Sequence, residues 1–285
     1  MKLSRPGASL FVPDGQPLEE ALARTTHLGI VAHPDDLEIV AWPAIRECFG
    51  RTDRWFSGVV VSDGAGAPRA GRYGAFSDAQ MREVRQGEQK AAARVGEYSA
   101  VALLDHTSAA VKNKARTAVV RDLEGLLKAT RPETVYTHDL ADRHDTHVAA
   151  ALATIEACRA LPAEERPARV LGGEVWRDLD WLVDADKVAE DAQGREELAA
   201  ALIAAFASQI AGGKRHDLAV IGRRRAHATF QSSHAVDTTT ALCLAMDLTP
   251  LVRDPGLDPA AYAQGFISRF AGEVRDRMER LLESR

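Results

Sequence analysis

Cysteine is scarce in this chain, with three in 285 residues, at Cys48, Cys158 and Cys243. An odd number at wide spacings excludes a disulfide framework and a thiolate metal site; it reads as small buried residues in a reducing compartment. No apolar run is long enough to span a bilayer. Residues Met1 to Pro17 lack the apolar core of a signal peptide. A soluble cytoplasmic protein is the expectation. Excess positive charge is also missing. A net charge of −5 and a pI near 6.0 argue against a general nucleic-acid binder. The short basic run Arg223-Arg224-Arg225 reads as a solvated helix face. There is no internal repeat and no low-complexity tract, and the Ala-rich stretches Ala91–Ala93 and Ala199–Ala207 are helix filler.

What the chain does have is alternation of apolar strands with helical segments, which favours a single α/β domain with right-handed crossovers between parallel strands. Residues 1–26 read as an irregular lead-in with a short helix over 18–24, and 27–285 as the domain, with helical elements over 197–285. Strands are expected at 28–32, 55–62, 101–104, 134–137 and 170–176. Helices are expected at 37–49 (strained by Pro43), 78–95, 114–129, 143–159, 198–210, 214–229 and 260–282. Ser77 and Gln80 have the spacing of a capping box, and Gly212-Gly213 marks a break.

The chemistry gathers after the first strand. His33-Pro34-Asp35-Asp36 follows the apolar segment Leu28–Ala32, where buried acids are costly unless something pairs with them. A divalent metal would do so. The alternative is a helix cap, with Asp35 or Asp36 accepting backbone N–H bonds. In open α/β sheets ligands collect beyond the carboxyl ends of the strands. Asp63, Asp105 and the segment His138–His147 follow the next three strands, so all four segments converge on one edge. His33, Asp36 and His147 make a set of two imidazoles and one carboxylate that leaves a position for water, the arrangement of catalytic zinc. Asp35 is the natural general base beside that water. His144, three residues before His147, can approach the site and, if protonated, stabilise an oxyanion or protonate a leaving amine.

At these residues the chain resembles the PIG-L/LmbE-like family of zinc-dependent de-N-acetylases. The resemblance rests on Ala32-His33-Pro34-Asp35-Asp36, on His144-Asp145-Thr146-His147, and on Arg85-Gln86-Gly87-Glu88 continuing to Val95-Gly96; it spans roughly residues 27 to 235. It implies a Rossmann-like three-layer α/β/α sandwich with a mostly parallel sheet. It also implies hydrolysis of an acetamido group on an amino sugar or glycoside. By position, His33, Asp36 and His147 hold one Zn2+ per chain, Asp35 is the base, and His144 is the acid or oxyanion group. Arg85 contacts substrate, and Asp105 binds a sugar hydroxyl. The implied partner is a small N-acetylated molecule, not a membrane or nucleic acid, and homo-oligomers are compatible with the family. Two departures stand out. Leu37 precedes Glu38 after the Asp pair, and Thr146 replaces the acid of His-x-Asp-His, so a partner for His144 must come from elsewhere, with Asp142 or Asp145 as candidates. Gln231-Ser232-Ser233-His234 corresponds loosely to a family His-x-Ser-Gln segment, with His234 expected either to reach the site or to sit in the packed helix layer.

Other features carry weaker readings. Asp63-Gly64-Ala65-Gly66 is an incomplete nucleotide fingerprint after the wrong strand and reads as a flexible loop flanking substrate. Trp176 and Trp181 either stack on a sugar ring or serve as core or subunit contacts. His27, His106, His216 and His227 read as ordinary surface or satisfied core residues. Two rival functions stand beside deacetylation: an amidase for another acyl group or a thiol conjugate, and a non-catalytic sugar-binding protein.

Overall fold

The computed structural model describes residues 2–283; Met1 and residues 284–285, at the outer ends of the expected lead-in and domain, lie outside the described residues. One sheet of eight strands organises them: β1 (Ser9–Phe11), β2 (His27–Val31), β3 (Phe56–Ser62), β4 (Ala100–His106), β5 (Thr134–His138), β6 (Arg169–Gly173), β7 (Lys187–Asp191) and β8 (Leu242–Asp247). The order is β1-β4-β3-β2-β5-β6-β8-β7. Strands β4, β3, β2, β5 and β6 are parallel neighbours, while β1 and β8 run antiparallel to theirs. After β2 the chain winds to β3 and β4 on one side, then returns to place β5 on the other side of β2. The β2/β5 boundary is therefore the topological switch point, where such sheets form a crevice.

Two apolar clusters lie on the two faces of the sheet. Leu28, Ile30, Val59 and Val61 join one cluster, while Val31, Phe56 and Val60 join the other, as strand alternation requires. Because both faces are covered, the central strands read as continuous apolar runs. On the first face the helices Thr117–Thr130 and Asp145–Ala160 pack; on the second lie Leu37–Val40, Trp42–Cys48 and Glu196–Ala204.

Several boundaries differ from the sequence reading. The helix expected over 37–49 breaks at Ala41, and Pro43 sits in the first turn of the second piece, where its missing N–H costs nothing. The helix expected over 114–129 is preceded by a separate turn, Ser108–Lys112. Strands β1, β7 and β8 were not expected. β1 and β7 are edge strands, and β8 lies between β6 and β7, antiparallel to both. The lead-in is thus tied into the sheet, and the C-terminal region contributes β8 as well as helices. The capping box at Ser77 and Gln80 is formed. His106, on β4, bonds Asp122 (2.9 Å), which also accepts from the Ser4 N–H (2.9 Å) and hydroxyl (2.7 Å), tying the N-terminal segment to the Thr117–Thr130 helix.

The loop after β2 is held by a notch in the sheet. Gly29 on β2 and Gly58 on β3 are direct partners. A Cβ at either would lie 2.6 or 2.4 Å from a methyl group of Leu37. The glycine pair therefore makes room for Leu37, the residue immediately after Asp36, and so anchors the end of that turn.

Two outcomes follow for stability. Gly58→Ala costs about 1–3 kcal/mol in urea unfolding, and a cycle with Leu37→Ala shows coupling of about 0.5–3 kcal/mol; additive effects would mean that Leu37 is not seated there. For Asp122, burial raises its carboxyl, but the bonds from His106 and Ser4 outweigh that and hold it below the usual value. A lowered folded value stabilises the protein above the unfolded value and is lost as pH falls through the folded one. Asp122→Asn thus costs about 1–3 kcal/mol at neutral pH, a gap that closes as the pH falls below about 4.

Candidate active site at the switch point

The turn that leaves β2 carries the first group of side chains. Neither Asp35 nor Asp36 caps the helix that follows, which has no side-chain cap. Asp36 instead turns back: its Oδ2 accepts the His33 backbone N–H at 2.8 Å. The same oxygen lies 3.2 Å from His33 Nδ1 and 3.3 Å from His147 Nε2, and those two nitrogens are 3.1 Å apart. His147 arrives from the other side of the switch point, on the first turn of the Asp145–Ala160 helix after β5.

These three atoms form a nearly equilateral triangle. Corners of a tetrahedron with arms of about 2.0 Å, the usual zinc–nitrogen length, lie about 3.3 Å apart. The donor set therefore fits a single small divalent cation with one face open. His33 and His147 also group with His144, and a third set, Asp36 with His138 and His147, is close as well. There the His138 Nε2 lone pair is already occupied by the Ala32 N–H at 2.8 Å, so His138 serves by stacking on His147, with ring centroids 3.9 Å apart.

The electrostatics match a site built for positive charge. Burial raises the Asp36 carboxyl, but His147, His138 and His33 outweigh it and hold it far below the carboxylate range. Burial lowers His147, while Asp36 and Asp142 more than reverse this. Asp142 is lowered to about 2 against its burial, chiefly by His147.

The family comparison covers the segment that carries these residues. A family model described as PIG-L, GlcNAc-PI de-N-acetylase, matches residues 28–158, from β2 through the helix that carries His147. Over that segment the chain is similar to the PIG-L family. The family so described removes an N-acetyl group, which is amide hydrolysis. No curated protein matches it. Solved structures share the fold. A 4-carboxy-2-hydroxymuconate hydratase from Pseudomonas putida KT2440 matches with a TM-score of 0.60 and 19% identity over 79% of this chain and 95% of its own. An N,N'-diacetylchitobiose deacetylase from Pyrococcus horikoshii gives 0.60 and 15% over 78% and 84%. The A40926 pseudoaglycone deacetylase Dbv21 gives 0.55 and 16% over 79% and 97%.

In this chain the two departures from the family pattern have local explanations. With Thr146 in place of the family acid, the Thr146 backbone N–H itself donates to His144 Nδ1 at 3.3 Å, leaving Nε2 to carry the proton of the neutral ring. Burial and the neighbouring rings of His147 and His33 hold His144 below the usual histidine range. Asp142, one of the two candidates to orient His144, orients His147 instead. It bonds His147 Nδ1 at 3.3 Å and accepts the backbone N–H groups of His144 (2.8 Å) and Trp176 (3.0 Å). Glu38, the acid displaced by Leu37, is completely buried, bonded by Tyr98 (2.7 Å) and Gln89 (2.8 Å), and pushed up to about 7 by burial.

Asp35 has a backbone φ of 93°, costly for a non-glycine residue. Its N–H donates to Gln89 Oε1 at 3.2 Å, and Arg85 donates to the Pro34 carbonyl and, at 3.1 Å, to Asp35 Oδ1. Arg85 is buried, so it grips this turn from within while lining the cleft. Gln89 lies one helical turn beyond Arg85, a spacing visible in the sequence but not used.

The cleft, about 260 Å³, is lined by His33, Asp35, Asp36, Arg85, His144 and Trp176, with Ser108, Lys112, Thr146, Gln209, His216 and the loop residues Gly64, Gly66, Ala67 and Pro68 completing the wall. Four expectations need correction. Asp105 does not line it: the side chain is buried, paired with Arg82 at 3.4 Å, and covered by Gly7, whose backbone leaves no room for a Cβ beside the carboxylate. His234 lies exposed on a loop outside both the cleft and the helix layer, because the helix His216–Phe230 ends before it. The Arg223–Arg225 run is not a solvated face. Only Arg225 is exposed: Arg224 is buried and donates to the Glu38 carbonyl (2.7 Å), and Arg223 to the Val175 carbonyl (2.7 Å), because carbonyls left without a backbone partner need those donors. His216 belongs to the cleft wall, whereas Trp181 packs on Phe270.

His147→Ala is expected to abolish stoichiometric zinc binding, and Asp142→Ala to weaken it about 10–100-fold, both measured by competition with a chromogenic chelator. Unchanged affinity in Asp142→Ala would remove it as the group that orients His147.

Proposed function

We propose that this enzyme is a zinc-dependent hydrolase, one Zn2+ per chain, that removes the acetyl group from an N-acetylated amino sugar or related glycoside in the cytoplasm. The single observation that supports it is the triangle of His33, Asp36 and His147 donors beside an independently gripped carboxylate, Asp35. The wall of Trp176, Ser108, Lys112 and Gln209 suits a small polar substrate, with an aromatic face for a sugar ring and donors for its hydroxyls. No helix of the described residues is long and apolar enough to cross a membrane.

His33, Asp36 and His147 would hold the ion; when bound it supplies Lewis-acid polarisation of the amide carbonyl and a water of lowered pKa. Asp35 takes a proton from the attacking water as its oxygen bonds to the carbonyl carbon. The His144 Nε2–H donates to the oxygen that becomes negative, a role that a neutral ring fills. Asp35 then gives its proton to the nitrogen as the C–N bond breaks, leaving acetate and a free amine. Asp142 keeps His147 oriented, and Gln89 with Arg85 keeps the Asp35 turn in its strained form.

A screen of N-acetylated amino sugars and glycosides should yield acetate and amine in equal amounts. Asp35→Asn is expected to retain zinc and lose about 10²–10⁴-fold in kcat; near-normal turnover would overturn its assignment as base. If the zinc-loaded protein releases acetate from none of these compounds but cleaves a longer N-acyl or thiol-conjugate amide, the acetyl assignment falls and the amidase reading replaces it.

A further inference from the structure

His216 has no role in the scheme above, yet it is placed against the base. It is the first residue of the His216–Phe230 helix, just past Gly212-Gly213, where Gly213 adopts a φ of 88° that lets the chain turn into the cleft. Its Nδ1 lies 3.5 Å from Asp35 Oδ2, on the opposite side of the carboxylate from Arg85, which holds Oδ1 at 3.1 Å. That Nδ1 is buried and has no hydrogen-bond partner. At 3.5 Å the pair is within ion-pair range but short of a hydrogen bond. Catalytic hydrogen bonds are often long in an empty site and tighten when it fills.

The ring is held in that position by the site itself. It packs edge-on against Trp176, with centroids 5.8 Å apart. The backbone N–H of Trp176 is bound by Asp142, the carboxylate that orients His147. Lys214 Nζ lies over the Trp176 ring, 4.8 Å from its centroid. Further along the helix, Arg224 donates to the Glu38 carbonyl, Arg223 to the Val175 carbonyl, and His227 bonds Glu174 at 2.6 Å. The helix is thereby clamped to the segment that carries Asp35 and to the one that carries Trp176.

We propose that His216 is a positioning residue for Asp35, donating its Nδ1–H to Oδ2 so that the carboxylate is gripped from both sides and aimed at the attacking water. Arg85 alone can draw both carboxylate oxygens onto its planar fork; a second donor on the far oxygen prevents that rotation. No proton changes hands at His216, and the assignment rests on the reading of Asp35 as the base.

Two substitutions separate positioning from packing. His216→Asn keeps a donor near the place of Nδ1, and His216→Phe keeps a ring against Trp176 without the donor. The expectation is that His216→Phe lowers kcat about 100-fold with KM, zinc content and urea midpoint unchanged, while His216→Asn recovers most of the loss. The reverse ranking, or an effect on KM alone, would overturn the proposal. A readout that needs no substrate is the ring tautomer, from nitrogen NMR of 15N-histidine-labelled, zinc-loaded protein. Nδ1–H is expected for His216 in the wild type and its loss in Asp35→Ala; an Nε2–H tautomer in the wild type would overturn the proposal whatever the activity. An intact Nδ1–H signal in a wild type that hydrolyses no amide would sink the amidase reading and leave the His216–Asp35 contact standing.

Discussion

One oxygen atom, Asp36 Oδ2, is the constraint to which the rest of the site conforms. The imidazole nitrogens of His33 and His147 lie 3.2 and 3.3 Å from it, a backbone N–H reaches it at 2.8 Å, and His138 stacks behind His147. A buried carboxylate is tolerated only with such company. The groups that supply it come from the ends of β2 and β5 and from the helix after β5, so the site exists only because those two strands are neighbours. They are neighbours because the winding of the sheet reverses between them. Fold and chemistry meet at the one position in the sheet where a crevice forms without any additional domain.

Around that oxygen the support is layered. Asp142 holds His147, the backbone entry to His144, and Trp176. Gln89 links the Asp35 backbone to Glu38, which Tyr98 also binds. The strained φ of Asp35 is maintained by bonds to its N–H, to the preceding carbonyl and to its side chain. Strain of this kind persists where surroundings over-determine it, and it concentrates at functional sites. The two adjacent carboxylates are thus separated into different tasks by their partners: imidazoles for Asp36, a guanidinium for Asp35.

The sharing of this fold between deacetylases and a hydratase shows that the sheet does not choose a reaction. Choice comes from the cleft wall, and in this chain much of that wall is supplied by Trp176 and by the helical region around Gln209 and His216, beyond the matched family region.

The sequence by itself determined what is local in chain distance. His33 and Asp36 are three residues apart at a strand end, Ser77 and Gln80 form their capping box, and the apolar runs declare strands covered on both faces. It also marked His144 and His147, one helical turn apart, as groups for the same edge. What only the tertiary structure decided is which distant groups complete them. Asp142 serving His147 instead of His144, Gln89 beneath Asp35, Asp105 covered by Gly7, Arg224 buried on the Glu38 carbonyl, and His216 against the base all span long chain separations or turn on a single backbone angle. Periodicity records which face of an element is apolar; it carries no record of which polar group on another element will satisfy a buried donor or acceptor, because that is settled by packing distances of a few tenths of an ångström.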